Sequence, residues 1–391
     1  MNEQVKKPNE ATPESYSPKT PKLANMMDEA QSNALQRPKE EIITKKIIET
    51  TTNPNGWEYW EFPSCFASVF MRIEGVTAGR QDIITLYAVV SGISHVQLDM
   101  TNEEHFVPGY RFSETKVIDE YDDYIKFTMG FAGYSYERYN KSADKAAVFA
   151  AIKKSIDADR PVLINFGTYY TWCAIIGYDE ENGTLYGLDN ALSYWKDKSG
   201  TYEDGMFTTD HWYEYMTEAV IITGKTVPSV MYDDVFRRTI NIMETMEQTG
   251  YVQHSIDYLK DNANFEGYDD EKYLELTGRI SSLIALLIDQ RAWVSHFFED
   301  MAKAETHKDK AQYLRRITAL YGISKDVCWL AWHMVGVGFP AEPGMEPEDT
   351  AKLLSSPIYR RAIADAIKVI IGNDRYILEC LKEMMGESLG E

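Results

Sequence analysis

The chain has 391 residues and a formal net charge of −21, long enough for a sizeable core and more than one domain. The acidic balance argues against a general nucleic-acid binder, which presents a basic face, and against docking on an anionic membrane surface. Four cysteines, Cys65, Cys173, Cys328 and Cys380, form no CxxC pair and join no histidine at zinc spacing; with no leading apolar segment and no run long enough for a membrane helix, a cytoplasmic protein with reduced thiols is expected.

Residues 1–45 are rich in Pro, Glu, Lys, Asn and Ser and poor in large apolar side chains, the composition of a solvated tail. IITKKIIE, from Ile42, is β-like, and TTNPNG follows as a turn. Phe66, Val69, Phe70 and Ile73 recur at helical spacing, so a helix is expected there, with Ser64 as N-cap after Pro63 and Gly75 as stop. A second helix runs from Asp82 to Gly92, residues 95–120 are loop-rich, and DDYIKFTMGFAGYSYERY gives a short helix and a strand. Ser142 is expected to cap a helix ending near Asp159. Three short apolar runs come next, PVLINF, TWCAIIGYD and GTLYGLD. The Asp179-Glu180-Glu181-Asn182-Gly183 turn between the last two marks an antiparallel hairpin. TTDHWYEYM is a short helix and EAVIIT a closing strand ending at Gly224. Beyond Pro228 the sequence shows long stripes of 3.6-residue apolar period and almost no strand signal. The expected organisation is a tail over 1–45, an α+β domain over 46–226 and an all-α bundle over 227–391.

Cys65 falls in the first turn of the expected helix. A helix N-terminus stabilises a thiolate, and its N–H groups can hold an oxyanion. On residue type alone, a small buried core cysteine is the commoner outcome. The order of elements adds a resemblance. A helix opening with PSCFASVF, followed by a hairpin strand ending Gly177-Tyr178-Asp179 and an Asp on the returning strand, resembles the papain-like cysteine-peptidase fold. Joined to a helical second half, it resembles the butirosin biosynthesis protein H family over roughly residues 45–385. The resemblance implies a Cys nucleophile at Cys65 and an orienting carboxylate at Asp189. It places the general base where this chain has Thr171, which cannot take a proton as imidazole does. Thr171 and Cys173 share one strand face, and that face is expected to look toward Cys65 and Asp189.

The activity implied is acyl transfer in secondary-metabolite biosynthesis, from a carrier-protein thioester to a small amine, with an acyl or peptidyl carrier protein as partner and no cofactor. Trp60, Ser64, Tyr170, Trp172 and Cys173 would line the pocket, although aromatic packing explains WEYW and YYTW equally well. His95, His105 and His211 are candidate substitute bases by location only. The alternative is a non-catalytic protein holding a peptide or carrier-bound intermediate. GVGFPAEPG lacks the lysine and the preceding strand of a phosphate loop. His333, beside Cys328 and Trp329, is expected in the core, and His296 with Asp289 and Asp300 on a charged helix face. Asp122-Asp123 and Asp269-Asp270-Glu271 are read as helix starts.

Overall fold

The computed structural model describes residues 44–48, 60–107, 111–112, 117–118, 123–167, 171–189, 202–203, 206–335 and 346–387, with Thr171 and Asp189 described by backbone alone. The tail over 1–43, the TTNPNG turn, Tyr170 and GVGFPAEPG lie outside the described residues.

The chain is mixed α+β with a helical C-terminal part. Among the described residues ten strands precede Tyr232: β1 Lys45–Ile47, β2 Phe106–Val107, β3 Arg111–Phe112, β4 Tyr134–Asn140, β5 Val162–Phe166, β6 Thr171–Asp179, β7 Thr184–Asp189, β8 Tyr202–Glu203, β9 Met206–Thr209 and β10 Glu218–Lys225. Interleaved with them are the α-helices α1 Glu61–Glu74, α2 Arg80–Ser91, α3 Tyr124–Ala132, α4 Lys145–Asp157 and α5 Trp212–Tyr215. The rest of the described chain is helical: α6 Tyr232–Thr249, α7 Tyr251–Lys260, α8 Asp270–Ala304, α9 Lys308–Val335, α10 Pro347–Leu354 and α11 Pro357–Met385. Among the described residues no helix is long and apolar enough to cross a membrane.

The main sheet is ordered β4-β10-β5-β6-β7-β9-β8, and β1 pairs with the far end of β6. Every pairing is antiparallel. β6 and β7 form the expected hairpin, and Gly183 closes it at φ 64°, the left-handed region that glycine enters without a Cβ clash. The three residues that mark this strand in the sequence each have a structural task. A Cβ on Gly177 would stand 2.6 Å from the Lys46 carbonyl oxygen, so glycine is what lets β1 approach. Tyr178 donates from its hydroxyl to Asp157 Oδ1 at 2.7 Å, tying the strand to α4. The Asp179 carboxylate accepts from the Asn182 backbone N–H and side-chain amide, at 3.2 and 3.0 Å, and braces the turn.

Two helix starts differ from expectation. α1 begins at Glu61, with Trp60 at the N-cap position. Proline is tolerated in a first helical turn because its missing N–H would have no intrahelical partner there, so Pro63 does not delay the helix and Ser64 lies inside it. α4 is capped by Asp144, whose carboxylate accepts from Ala147 N at 2.9 Å; Ser142 is instead bound to Asn140 Oδ1. Asp123 and Asp269 do cap α3 and α8.

Side-chain alternation gives the sheet two buried faces. Ile164, Phe166, Cys173, Ile175, Ala219 and Ile221 pack with Val148, Ile152 and Ile156 of α4. Leu163, Trp172, Ala174, Val220 and Ile222 pack on the other face in a core with α1, α2 and α3, and this core continues into α6–α9 and α11. The junction is polar as well as apolar. Gln290 Nε2 of α8 donates to the Ile93 and Val96 carbonyls at 3.1 and 2.9 Å, His95 Nε2 meets the Tyr321 hydroxyl at 2.8 Å, and Met100 N donates to Ser255 Oγ at 2.9 Å.

Candidate functional site

α1 is buried along nearly its whole length and lies across β6 and β5. Cys65 is its fifth residue, and 3% of it is exposed. The first bond of the helical ladder, Ser64 N to Trp60 O at 3.1 Å, already precedes it. Cys65's own N–H therefore lies inside the ladder, past the first turn whose N–H groups lack intrahelical acceptors. A nucleophile in that first turn, as expected from Pro63 and Ser64, is not what the helix presents.

The thiol points at the sheet. Cys65 Sγ donates to the Trp172 carbonyl oxygen at 2.9 Å. Around it stand Trp60, Phe62, Phe66 and Trp172, all members of the same core and each 1% exposed or less. Phe62 packs edge-on to Trp172 and to Tyr124, with centroids at 5.2 and 4.9 Å, while Trp172 Nε1 donates to the Tyr124 hydroxyl at 2.9 Å. These aromatics form a closed packing unit that fixes the backbone carbonyl Cys65 binds.

The sequence-derived residues divide by face. Trp60, Ser64, Cys65 and Trp172 gather on the α1 side. Cys173 is wholly buried in the α4 core, on the opposite face of the sheet, so the face it occupies does not look toward Cys65. The parity runs opposite to expectation because Trp172, not Cys173, takes the α1 side. Thr171 pairs with Phe166 at the first position of β6, and Asp189 pairs with Cys173 at the end of β7. Tyr170 lies outside the described residues.

Three polar groups on or beside this site were not legible as a set. Glu61 precedes Cys65 by four residues, hence on the same helix face, and is 9% exposed. Ser64 is fully buried, and its Oγ has no hydrogen-bond partner. Asn165, opposite Trp172 in the β5–β6 register, follows the alternation of Leu163 onto the α1 face; it is 8% exposed and its Oδ1 has no partner. A buried, unsatisfied polar atom costs about 1–3 kcal/mol. Ser64, next to Cys65 in sequence, and Asn165, opposite Trp172, each carry such an atom. Asn165 could have been suspected as the one amide in an otherwise apolar strand, VLINF.

The three candidate histidines are committed elsewhere. His95, in the 3-10 turn Ile93–His95, contacts Ser94 Oγ through Nδ1 and the Tyr321 hydroxyl through Nε2. Burial, reinforced by Arg291 and Arg238, depresses its pKa to about 3, so it stays neutral. His105 accepts from the Asp99 backbone N–H at 2.9 Å through Nδ1 and packs on Tyr251. His211 is half-exposed between Asp210 and Glu214. Of the remaining four, His254 contacts Asp99 and His296 contacts Glu299. His307 immediately precedes α9 and His333 lies near its end, and His333 is exposed rather than in the core, because Cys328 and Trp332 take the inward positions. Among the described residues no group of three or more His, Cys, Asp or Glu could hold a metal ion.

Comparisons with family models, with curated proteins and with solved structures give no match for this chain.

Proposed function

We propose that this chain is a binding protein built on a cysteine-peptidase-like framework, related to the butirosin biosynthesis protein H family, and that it holds a peptide or a carrier-bound intermediate beside α1 without turning it over. The observation that carries this reading is the hydrogen bond from Cys65 Sγ to the Trp172 carbonyl. That contact uses the thiol proton, whereas nucleophilic attack requires its loss. Support comes from the histidines, whose own partners hold them in other tasks, and from Thr171 at the position where the resemblance implies a base. The orphan polar atoms of Ser64 and Asn165 supply contacts for a ligand.

A second reading, cysteine-dependent acyl transfer from a carrier-protein thioester to a small amine, is favoured by Glu61. A buried carboxylate one helical turn before Cys65 is a proton acceptor of a kind the sequence pattern does not anticipate. In that reaction the Cys65 thiolate displaces the carrier thiol from the thioester, and the amine then displaces Cys65.

The two readings separate by intact-protein mass spectrometry with aminoacyl N-acetylcysteamine thioesters at neutral pH. The binding reading expects no acyl adduct on Cys65, slow iodoacetamide labelling, and thioester binding that survives Cys65→Ala. Rapid adduct formation at Cys65, abolished by Glu61→Gln, would overturn it in favour of the transferase.

A further inference from the structure

α9 turns an apolar stripe toward solvent. Leu314, Ile317, Tyr321, Ser324 and Cys328 face inward and are buried. On the opposite side Arg316, Ala319, Ile323, Asp326 and Leu330 follow one another at alternating spacings of three and four residues and are all exposed, the spacing of a coiled-coil seam. Ile323 and Leu330 are 52% and 60% exposed. α11 packs alongside in the opposite chain direction, with Asn373 donating to Ser324 Oγ at 3.0 Å and the Tyr359 hydroxyl donating to the Met334 carbonyl. Val369 and Tyr376, one turn to either side of Asn373, are exposed as well and widen the apolar surface.

Single exposed apolar residues are ordinary on a protein surface; this stripe is complementary to itself. Arg316 and Asp326 each lie five positions from residue 321, and Ala319 and Ile323 each two. Two copies of α9 laid antiparallel and crossing level with Tyr321 therefore set Arg316 against the partner's Asp326 and Ala319 against the partner's Ile323. Two-fold symmetry makes each contact twice. Both ionic groups are uncommitted among the described residues. Arg316 makes no ion pair and holds its guanidinium 5.7 Å from the Tyr313 ring centroid, and Asp326, 80% exposed, has only its neighbour Lys325 at 4.0 Å. Gly322, beside the crossing point, fits the same arrangement. Glycine weakens a helix interior relative to alanine, and a Cβ at Gly322 would meet nothing within 4 Å. No contact within the described chain calls for glycine there, whereas the close approach of a second helix does.

We propose that the chain forms a two-fold symmetric dimer through the outer face of α9, with Ile323 and Ala319 as the apolar centre and an Arg316–Asp326 pair at each end. The occupant of this face is a second copy of the chain. At physiological ionic strength the Debye length of about 8 Å screens the net charge of −21 over the rest of the surface, while pairs in direct contact keep their attraction. Each such pair strengthens association about threefold, and symmetry squares this to about tenfold.

The test is sedimentation equilibrium of the full chain at about 0.15 M salt, from about 1 to about 100 μM protein. The wild type is expected to show a reversible monomer–dimer equilibrium in that range. Asp326→Arg, which sets an arginine against Arg316, should weaken it about tenfold or more, and Arg316→Asp combined with Asp326→Arg should restore it to within about threefold. Ile323→Glu should abolish it. The substituted side chains are exposed, so the core is untouched, and restoration in the double variant cannot come from an effect on folding. A wild type that stays monomeric throughout, a dimer that Ile323→Glu leaves intact, or a double variant no tighter than Asp326→Arg alone would each overturn the proposal.

Discussion

His95 offers the sharpest test of how the sheet part and the helical part are joined. Burial, then the positive charges of Arg291 and Arg238, depress its pKa from 6.5 to about 3. The unfolded chain therefore binds a proton that the folded chain refuses, and stability falls as pH drops through the unfolded value toward the folded one. Each pH unit in that window is worth about 1.4 kcal/mol, so moving from about pH 7 to about pH 5 removes about 2 kcal/mol through this one residue. The assay is urea unfolding of the wild type and of His95→Gln at both pH values. Glutamine cannot titrate, while the other histidines and the carboxylates contribute equally to both proteins and cancel in the comparison. His95→Gln should be less stable at pH 7 by about 1–3 kcal/mol, from the disturbed contact to buried Tyr321, yet should lose about 2 kcal/mol less than the wild type on acidification. Equal acid losses in the two proteins would refute the claim that His95 is held neutral.

Gly177→Ala should push β1 off the sheet, since the new Cβ meets the Lys46 carbonyl at 2.6 Å. The expected loss is about 1–3 kcal/mol, together with faster hydrogen exchange at Ile48 N and Glu180 N, which bond across this pairing; unchanged exchange would count against the clash. Asp144→Ala should cost about 1 kcal/mol by removing the α4 cap, whereas Ser142→Ala should stay within about 0.5 kcal/mol, and thermal denaturation ranks the two. Ser64→Ala removes a buried hydroxyl without a partner and should leave stability unchanged or raise it by about 1–3 kcal/mol; a clear decrease would mean that the hydroxyl is satisfied in solution.

The hairpin and the long C-terminal helices were legible because their signals are local. Asn182-Gly183 fixes a turn chemically, and a 3.6-residue stripe needs no distant partner to be read. The start of α1 was misread because Pro63 and Ser64 imitate a start signal while the chain, with apolar partners on every side of Phe62 and Phe66, continues the helix a turn earlier. The face of β6 was misread for a related reason. Alternation says that Thr171 and Cys173 share a side, but only packing against α1 or α4 decides which side. Glu61 could not be found as a site residue from its neighbours in sequence, and Asn165 only as the one amide in an apolar strand. Each matters through what stands beside it, Cys65 one helical turn on or Trp172 across the strand, and the face that carries them is set by non-local packing.

The place of β10 has a consequence for how the chain is made. This strand is the last of the sheet in sequence, yet it lies between β4 and β5, with Val220 opposite both Arg138 and Leu163. A growing chain that has emerged only as far as β9 holds two unpaired strand edges with nothing between them. Such edges are templates for pairing with other chains, and the long loops that must close first slow the step that would protect them. Completion of the sheet waits for residue 225, and only then can Val220 and Ile222 join the core already begun by α1, α2 and α3. Release of the nascent chain just short of β10 should therefore yield aggregates, while release a few residues beyond it should leave a completed sheet whose α1, α2 and α3 lack the C-terminal helices that extend their core.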